Sequence, residues 1–332
     1  MIPIAGGKLL IAALSSVSSN SPWHYVSNPN AAGLKQYIFT RNKSLTGVGE
    51  SGRVMVSDGE GKIWRTLPST VLNNLNAVVE KQDGEIVITG DSGIVLIFRD
   101  ELFIEKGSGI PIEKNAVSIS FIDKYIGFIS CSDGSLFRTM DGGKRWNQQT
   151  EIVSSNGSLK IKNLKAGNNK LYIYLESTLE NPGAIRSELR EYDISLSNFR
   201  TIYSSELISS APIIIAPGKF FALLQQGNKF VTGRGTLMDT LVEFTTDSLN
   251  ITGFFTSTGK TFWVGTDKGD LIRMDETGKV LTNYPAFSLG EIRSILFSPE
   301  GKGIIVSDAG NIYYGSSEYE VLPPDIPVVL PK

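Results

Sequence analysis

An all-β chain, a β-propeller of seven four-stranded antiparallel units, is the fold class this sequence predicts, and three observations carry it. Glycines return on a clock: Gly52, Gly93 and Gly134 are 41 residues apart, and Gly183, Gly227, Gly269 and Gly310 follow after 49, 44, 42 and 41. Tryptophans keep the same interval, Trp64 standing 41 residues after Trp23 and Trp146 82 after Trp64. Between the glycines, short apolar runs are broken by acidic-x-Gly triplets, the pattern of short strands joined by tight turns.

The unit is clearest around Gly93. Strands are expected from Leu75 to Val79, Glu85 to Thr89, Ile94 to Phe98 and Leu102 to Glu105, with Asp91-Ser92-Gly93 as the turn between the second and third. The same turn reads Glu50-Ser51-Gly52, Asp267-Lys268-Gly269 and Asp308-Ala309-Gly310, and Ser132-Asp133-Gly134 is a variant. In each, the acid can cap backbone amides while the glycine takes a positive φ, so these residues are structural. The last copy is expected from Ile292 to Phe297, Gly303 to Val306, Asn311 to Tyr314 and Tyr319 to Leu322.

Residues 1–322 are expected to form one propeller domain, because a set of stacked units is a single domain whatever its length. Within it, residues 1–30 form a closing segment, with Lys8 to Leu14 and Trp23 to Val26 in phase with the repeat. A terminal strand lent to the unit at the other end removes an exposed edge, although the segment can equally pair with another subunit. Residues 323–332 carry prolines at 323, 324, 327 and 331, so they are expected to form an extended tail and not a central strand. The fourth unit is the irregular one. Its longer step contains a protruding loop from Ser177 to Gly183, and Asn181, Pro182 and Gly183 are the candidate contact residues.

Composition bounds the function. Of 332 residues 41% are hydrophobic and 20% charged, which suits a folded chain, and the net charge of −2 gives no global field for nucleic acid or an anionic membrane. One cysteine, Cys131, forms no intrachain disulfide and reads as a small core residue. One histidine, His24, removes any histidine-based metal cluster, and its place between Trp23 and Tyr25 points to packing in a strand. No run is long enough for a membrane span, and the apolar stretch Leu9 to Leu14 is shorter than a signal-peptide core, so the N-terminus reads as a strand. No cofactor or metal is expected.

One motif has a name. Thr139-Met140-Asp141-Gly142-Gly143-Lys144-Arg145-Trp146 matches the Asp-box, S/T-x-D-x-G-x-x-W, through Thr139, Asp141, Gly143 and Trp146. Ser57 to Trp64 is a degenerate copy keeping Ser57, Gly61 and Trp64, with Asp58 displaced by one position. Asp100 stands 41 residues before Asp141, the remnant of a third copy. The acid and the hydroxyl tie a turn while the tryptophan packs at the sheet edge.

On these residues the chain resembles the Asp-box propellers, which include sialidases, sortilin-type receptors and photosystem II assembly-factor-like proteins. The resemblance spans nearly the whole chain as a repeat and about two units as a motif. Gly52-Arg53-Val54 and Gly134-Ser135-Leu136-Phe137-Arg138, each leading into a box, are most similar to the assembly-factor-like branch, which also has members among tailed-bacteriophage structural proteins. In these families the box is a folding device, so the resemblance implies no activity.

The expected function is therefore a non-enzymatic interaction propeller whose partners are other protein subunits, with no nucleic acid bound. The leading context is a virion component of a tailed phage, in the tail, nozzle or baseplate. The alternative is a bacterial assembly factor or adaptor in the cytoplasm or periplasm. A third reading is carbohydrate binding or sialidase-like hydrolysis, which needs an arginine cluster, a tyrosine nucleophile and an acid/base residue. The Arg-Ile-Pro segment that the sialidases carry is replaced by Gly109-Ile110-Pro111, and Arg53, Arg65, Arg99 and Arg138 are spread over strand edges.

Overall fold

A computed structural model of the chain describes residues 23–26, 33–58, 61–150, 159–167, 169–178, 185–195, 198–205, 208–209, 213–216, 219–226, 229–234, 240–245, 251–255, 261–275, 279–285, 287–288, 290–298, 300–308, 310 and 312–321. The strands form seven antiparallel sheets, numbered 1 to 7 from the sheet that begins at Leu34. Among the described residues six have four strands, in sequential order in five of them, while the seventh sheet takes its outer strand from the N-terminal segment. Two compact units hold them. The larger, Gly33–Ser57 with Trp64–Leu249, contains sheets 1 to 5, and the smaller, Met1–Ala32 with Asp58–Ile63 and Asn250–Lys332, contains sheets 6 and 7.

Sheet 2 shows why the sequence folds this way. Its strands Leu75–Glu80, Ile86–Gly90, Val95–Arg99 and Leu102–Lys106 lie within one residue of the expected bounds. The two middle strands are covered on both faces, so they read as unbroken apolar runs. Side chains alternate between two separate cores. Ile88, Leu96 and Phe98 pack with Val48, Val54 and Val56 of sheet 1, whereas Val87, Val95 and Ile97 pack with Ile129, Phe137 and Trp146 of sheet 3. The same alternation turns Phe128 and Leu136 of sheet 3 toward Ile161, Leu171 and Ile173 of sheet 4. Cys131 is fully buried in the core between sheets 2 and 3, where burial pushes its thiol up to about 11.

A polar seam runs along the first strands. Gln36 Oε1 accepts the Val78 amide at 2.7 Å, Ser118 Oγ accepts that of Leu164 at 3.1 Å, and Ser120 Oγ accepts that of Ala166 at 2.8 Å. Asn76 Nδ2 donates to the Ala116 carbonyl at 3.0 Å. In the smaller unit Thr252 Oγ1 donates to the Ile292 carbonyl at 2.8 Å. Sheets 1, 2, 3, 6 and 7 each break register at the second residue of that strand, and sheet 4 does so between Ile161 and Asn163. Such a bulge re-aims side chains; at Asn76 and Thr252 the re-aimed residue is itself a donor in the seam.

Three expectations change. In sheet 7 the run Ile312–Val321 is one ten-residue strand, so the fourth strand expected from Tyr319 to Leu322 is instead a continuation of the third. Ser316-Ser317-Glu318 carries no glycine to turn the chain. The fourth place is taken by Trp23–Val26, paired Trp23↔Gly315 to Val26↔Ile312, as expected of the N-terminal strand. Sheet 5 has five strands, because its first strand is split into Ile208–Ser209 and Ile213–Ala216, both paired with Lys219–Gln226. Finally, Ser177 and Thr178 are not loop residues but the end of the strand Lys170–Thr178.

The expected segment Lys8 to Leu14, the tail 323–332, and Asn181, Pro182 and Gly183 lie outside the described residues. Among the described residues no helix is long and apolar enough to cross a membrane, and no group of three or more His, Cys, Asp or Glu side chains is placed to hold a metal ion.

Candidate interaction site

The Asp-box residues come together as one turn between the third and fourth strands of sheet 3. Asp141 Oδ1 accepts the Thr139 hydroxyl at 2.8 Å and the amides of Lys144 and Arg145 at 3.1 and 3.0 Å. Thr139 Oγ1 accepts the Gly143 amide at 3.0 Å, and the Trp146 indole donates to the Gly143 carbonyl at 2.8 Å. Burial raises the Asp141 carboxyl, but the bonds from Arg145, Thr139 and Lys144 outweigh it and hold the group below its ordinary value. The three bonds to Asp141 Oδ1 all come from the turn itself, which makes the box a brace for that turn.

The remnants differ. At the degenerate copy, Asp58 Oδ1 accepts the Lys62 amide at 3.0 Å, while Trp64 meets Tyr37 edge-on at 6.2 Å. Ser57 is buried at the end of its strand and Gly61 has φ +66. Asp100 sits in a two-residue turn with Glu101, both at positive φ, and makes none of the Asp141 contacts. Of the turn glycines, Gly52, Gly93, Gly134, Gly269 and Gly310 all have positive φ. Asp133, in the turn of sheet 3, is raised by burial but carried down to about 2 by bonds from Lys114 and Ser135. His24 is exposed, with its ring 5.2 Å from that of Tyr314. Tyr313 is buried and Tyr314 faces the other way, since neighbouring strand residues point to opposite faces and cannot share one core.

A different group of residues carries binding chemistry. The third strand of sheet 4, Ile185–Asp193, places Arg186, Glu188 and Arg190 on one face. Glu188 and Arg190 are buried although both are charged. Glu188 Oε2 accepts from Arg190 Nε at 3.0 Å and from Nη2 at 2.8 Å, and its Oε1 lies 3.2 Å from Nε of the half-exposed Arg186. The Arg190 guanidinium also lies over Phe199, 5.6 Å from the ring centre. Its Nη1 is buried, and no acceptor among the described residues reaches it.

The facing side of sheet 3 presents two more such atoms. Ser130 pairs with Leu136, and Phe128 with Arg138, so all four share the face turned to sheet 4. Arg138 stands over Phe128 at 5.8 Å. Ser130 Oγ and Arg138 Nε are both buried without a hydrogen-bond partner among the described residues. Register relates the two faces row by row: Ser118, in the row of Ser130, holds the Leu164 amide, and Leu164 lies in the row of Arg190, whereas Ser120, in the row of Arg138, holds the Ala166 amide, in the row of Tyr192. The faces that sheets 3 and 4 turn to each other thus carry, beside their shared apolar core, three guanidinium groups, one carboxylate and three polar atoms without a partner among the described residues.

An unsatisfied buried donor costs roughly 1–3 kcal/mol, more when charged, and native proteins keep few of them. Guanidinium donors match a carboxylate or phosphate in a planar, paired geometry. The opposite face of the same strand is self-satisfied. Burial raises the Glu191 carboxyl there, but bonds from Lys170 at 2.9 Å and Arg200 at 3.1 Å outweigh it and hold the group below its ordinary value. Arg186, Glu188 and Arg190 did not emerge from the sequence. The signal was present as charges at every second position of a strand whose counterpart in sheet 2 runs Val95-Leu96-Ile97-Phe98.

No family model matches this chain, and no curated protein matches its sequence. Solved structures do. One described as YCF48 bound to D1 peptide is 17% identical, spans 91% of this chain and 99% of its own, and superposes with a TM-score of 0.68. The fold is a β-propeller. Virginiamycin B lyase from Staphylococcus aureus follows at 13% identity, 89% and 99% coverage and a TM-score of 0.69, and the WD40 repeats of RRP9 at 9%, 89% and 97%, and 0.67. These blades therefore support an enzyme in one neighbour and repeat scaffolds in others, and 1254 matching chains make the likeness one of fold alone.

Proposed function

We propose that this propeller is a non-enzymatic adaptor or assembly factor that holds a carboxylate-bearing segment of a partner protein in the cleft between blades 3 and 4. The observation that carries the reading is the set of orphaned donors, Arg138 Nε and Arg190 Nη1, on facing sheets. Arg190 is pre-aligned by Glu188, so the site loses little side-chain freedom on binding. Arg186, half exposed, is the group that first meets an incoming anion. The solved structure of a propeller with a peptide bound supports the same type of use. The virion role expected from the sequence finds no support among these neighbours, and the assembly-factor alternative takes its place.

The test is fluorescence anisotropy with labelled peptides ending in an acidic residue and a free carboxylate, against the same peptides amidated and neutral. Binding is expected for the acidic set and should weaken about tenfold or more in R138Q, in line with a lost charge-assisted pair. Equal binding of the amidated peptides, or R138Q behaving as wild type, overturns the assignment.

A further inference from the structure

The outer strand of sheet 4, Asn198–Ser205, adds an apolar group to the arginine cleft. Its Phe199 is 42% exposed. The pairings Leu171↔Tyr192 and Tyr192↔Phe199 put it on the side turned to sheet 3, where Leu171 and Tyr192 join the shared core. The Arg190 guanidinium lies over the ring, 5.6 Å from its centre, and Glu188 holds that guanidinium by two bonds. In sheet 3, Arg138 and Asn147 lie in the row of Ser120, whose hydroxyl accepts the Ala166 amide, and Ala166 lies in the row of Phe199. One arginine thus lies over the ring, and a second stands in the row matched with it.

Blades 1 and 2 show the same place filled. There Gln36 accepts the Val78 amide as Ser118 accepts that of Leu164, so the rows of the two pairs of blades can be matched. Two residues along these strands, Val56 and Arg65 correspond to Arg138 and Asn147, and Phe98 and Phe103 to Tyr192 and Phe199. Phe103 packs against the core of sheets 1 and 2, edge-on to Phe98 at 5.8 Å. Arg65 is ion-paired with Glu101, two residues before Phe103. In blades 3 and 4 a guanidinium replaces the buried Val56, the exposed Asn147 replaces Arg65, and the aromatic ring stays open to water. The fold closes over this position in one pair of blades and leaves it uncovered in the other.

An open ring beside guanidinium donors suits a group that is apolar at one end and anionic at the other. Side chains one or two positions apart in an extended chain, which rises about 3.3 Å per residue, span the 5.6 Å between ring and guanidinium. We infer that Phe199 sets the specificity of the cleft, and that the partner segment carries an aliphatic residue within two positions of its carboxylate. This rests on the carboxylate reading above and adds what must stand beside the carboxylate. A run of acidic residues alone, or a phosphate group, covers no ring and gains nothing from it.

The experiment uses the full chain and two labelled peptides that end in the same acidic residue with a free carboxylate. They differ only in the two residues before it, leucines in one and serines in the other. The leucine peptide is expected to bind about tenfold tighter. In F199S the two should bind alike, at the level of the serine peptide, because Glu188 still holds Arg190. R138Q should instead weaken both to the same degree. In the wild-type complex the leucine methyl resonances should move upfield in proton spectra, since an aromatic ring covers them, and that readout needs no variant. Equal binding of the two peptides to wild type, an undiminished leucine preference in F199S, or unshifted methyls overturns the inference. The carboxylate reading survives those results so long as amidated, neutral peptides fail to bind. If these bind as well as the acidic ones, the carboxylate reading falls and this inference with it.

Discussion

Blades 3 and 4 are neighbours with the same strand order, yet they fill their middle strands in opposite ways. Blade 3 buries Phe128, Ile129, Leu136 and Phe137 and braces its outer turn with Asp141. Blade 4 has Leu171, Ile173 and Leu175 in one middle strand, but Glu188, Arg190 and Glu191 in the next. The backbone tolerates both. What differs is the energetic role: apolar filling stabilises by leaving water, whereas a buried ion pair at best recovers its desolvation cost. Buried charge kept in a fold that can use phenylalanine at the same depth points to function, and the contrast can be broken or sharpened by substitution.

The largest effect is expected at Glu188. E188L leaves Arg186 and Arg190 without their carboxylate and should cost about 3–5 kcal/mol in chemical denaturation. The double variant E188L/R190M restores an apolar pair, so its stability should return to within about 1 kcal/mol of wild type while carboxylate-peptide binding is lost. If the double variant is as unstable as the single, the ion pair is structural and the comparison fails. In blade 3, D141A removes three bonds to the turn and should cost about 1–2 kcal/mol by analogy with lost helix caps, without altering peptide binding. A melting curve identical to wild type contradicts it.

Cys131 offers a reporter on the same blade. Burial and its raised pKa of about 11 should keep it from reacting with a thiol reagent in the native protein at neutral pH, and release should follow global unfolding. Labelling at the rate of a free thiol would show that blade 3 opens locally. The smallest effect concerns Asp133. Its native pKa, about 2, lies below the ordinary 3.8, so its contribution is present above about pH 4 and declines as pH falls toward 2. Because the Lys114–Asp133 pair is partly exposed, the effect should be slight and further reduced by salt. D133N should flatten that part of the stability curve, and an unchanged acid limb excludes the pair as a contributor.

The repeat was legible because glycine needed at positive φ and apolar residues needed on both faces leave a period that no other architecture demands. Gly52, Gly93 and Gly134 and the runs Val95 to Phe98 and Leu136 to Phe137 carry that information locally. The split first strand of blade 5 and the long last strand of blade 7 were not legible, since pairing partners decide them and partners are distant in sequence. The arginine cleft was missed for a related reason. Arg138 looks like a strand-edge charge until Phe128 and Ser130 are placed beside it, and its relation to Arg190 exists only through the register of four strands.

The pairing of Trp23–Val26 with Ile312–Val321 has a consequence in time. A ribosome releases these four residues nearly 300 residues before their partners. Until then blade 7 has no outer strand, and the apolar face of Trp23, destined for Trp263, Phe287 and Phe297, has nowhere to go. Closing so long a loop is slow, so completion of this blade should be the late step of biosynthesis. A cell making this protein must keep Trp23–Val26 sheltered until Ile312–Val321 arrives.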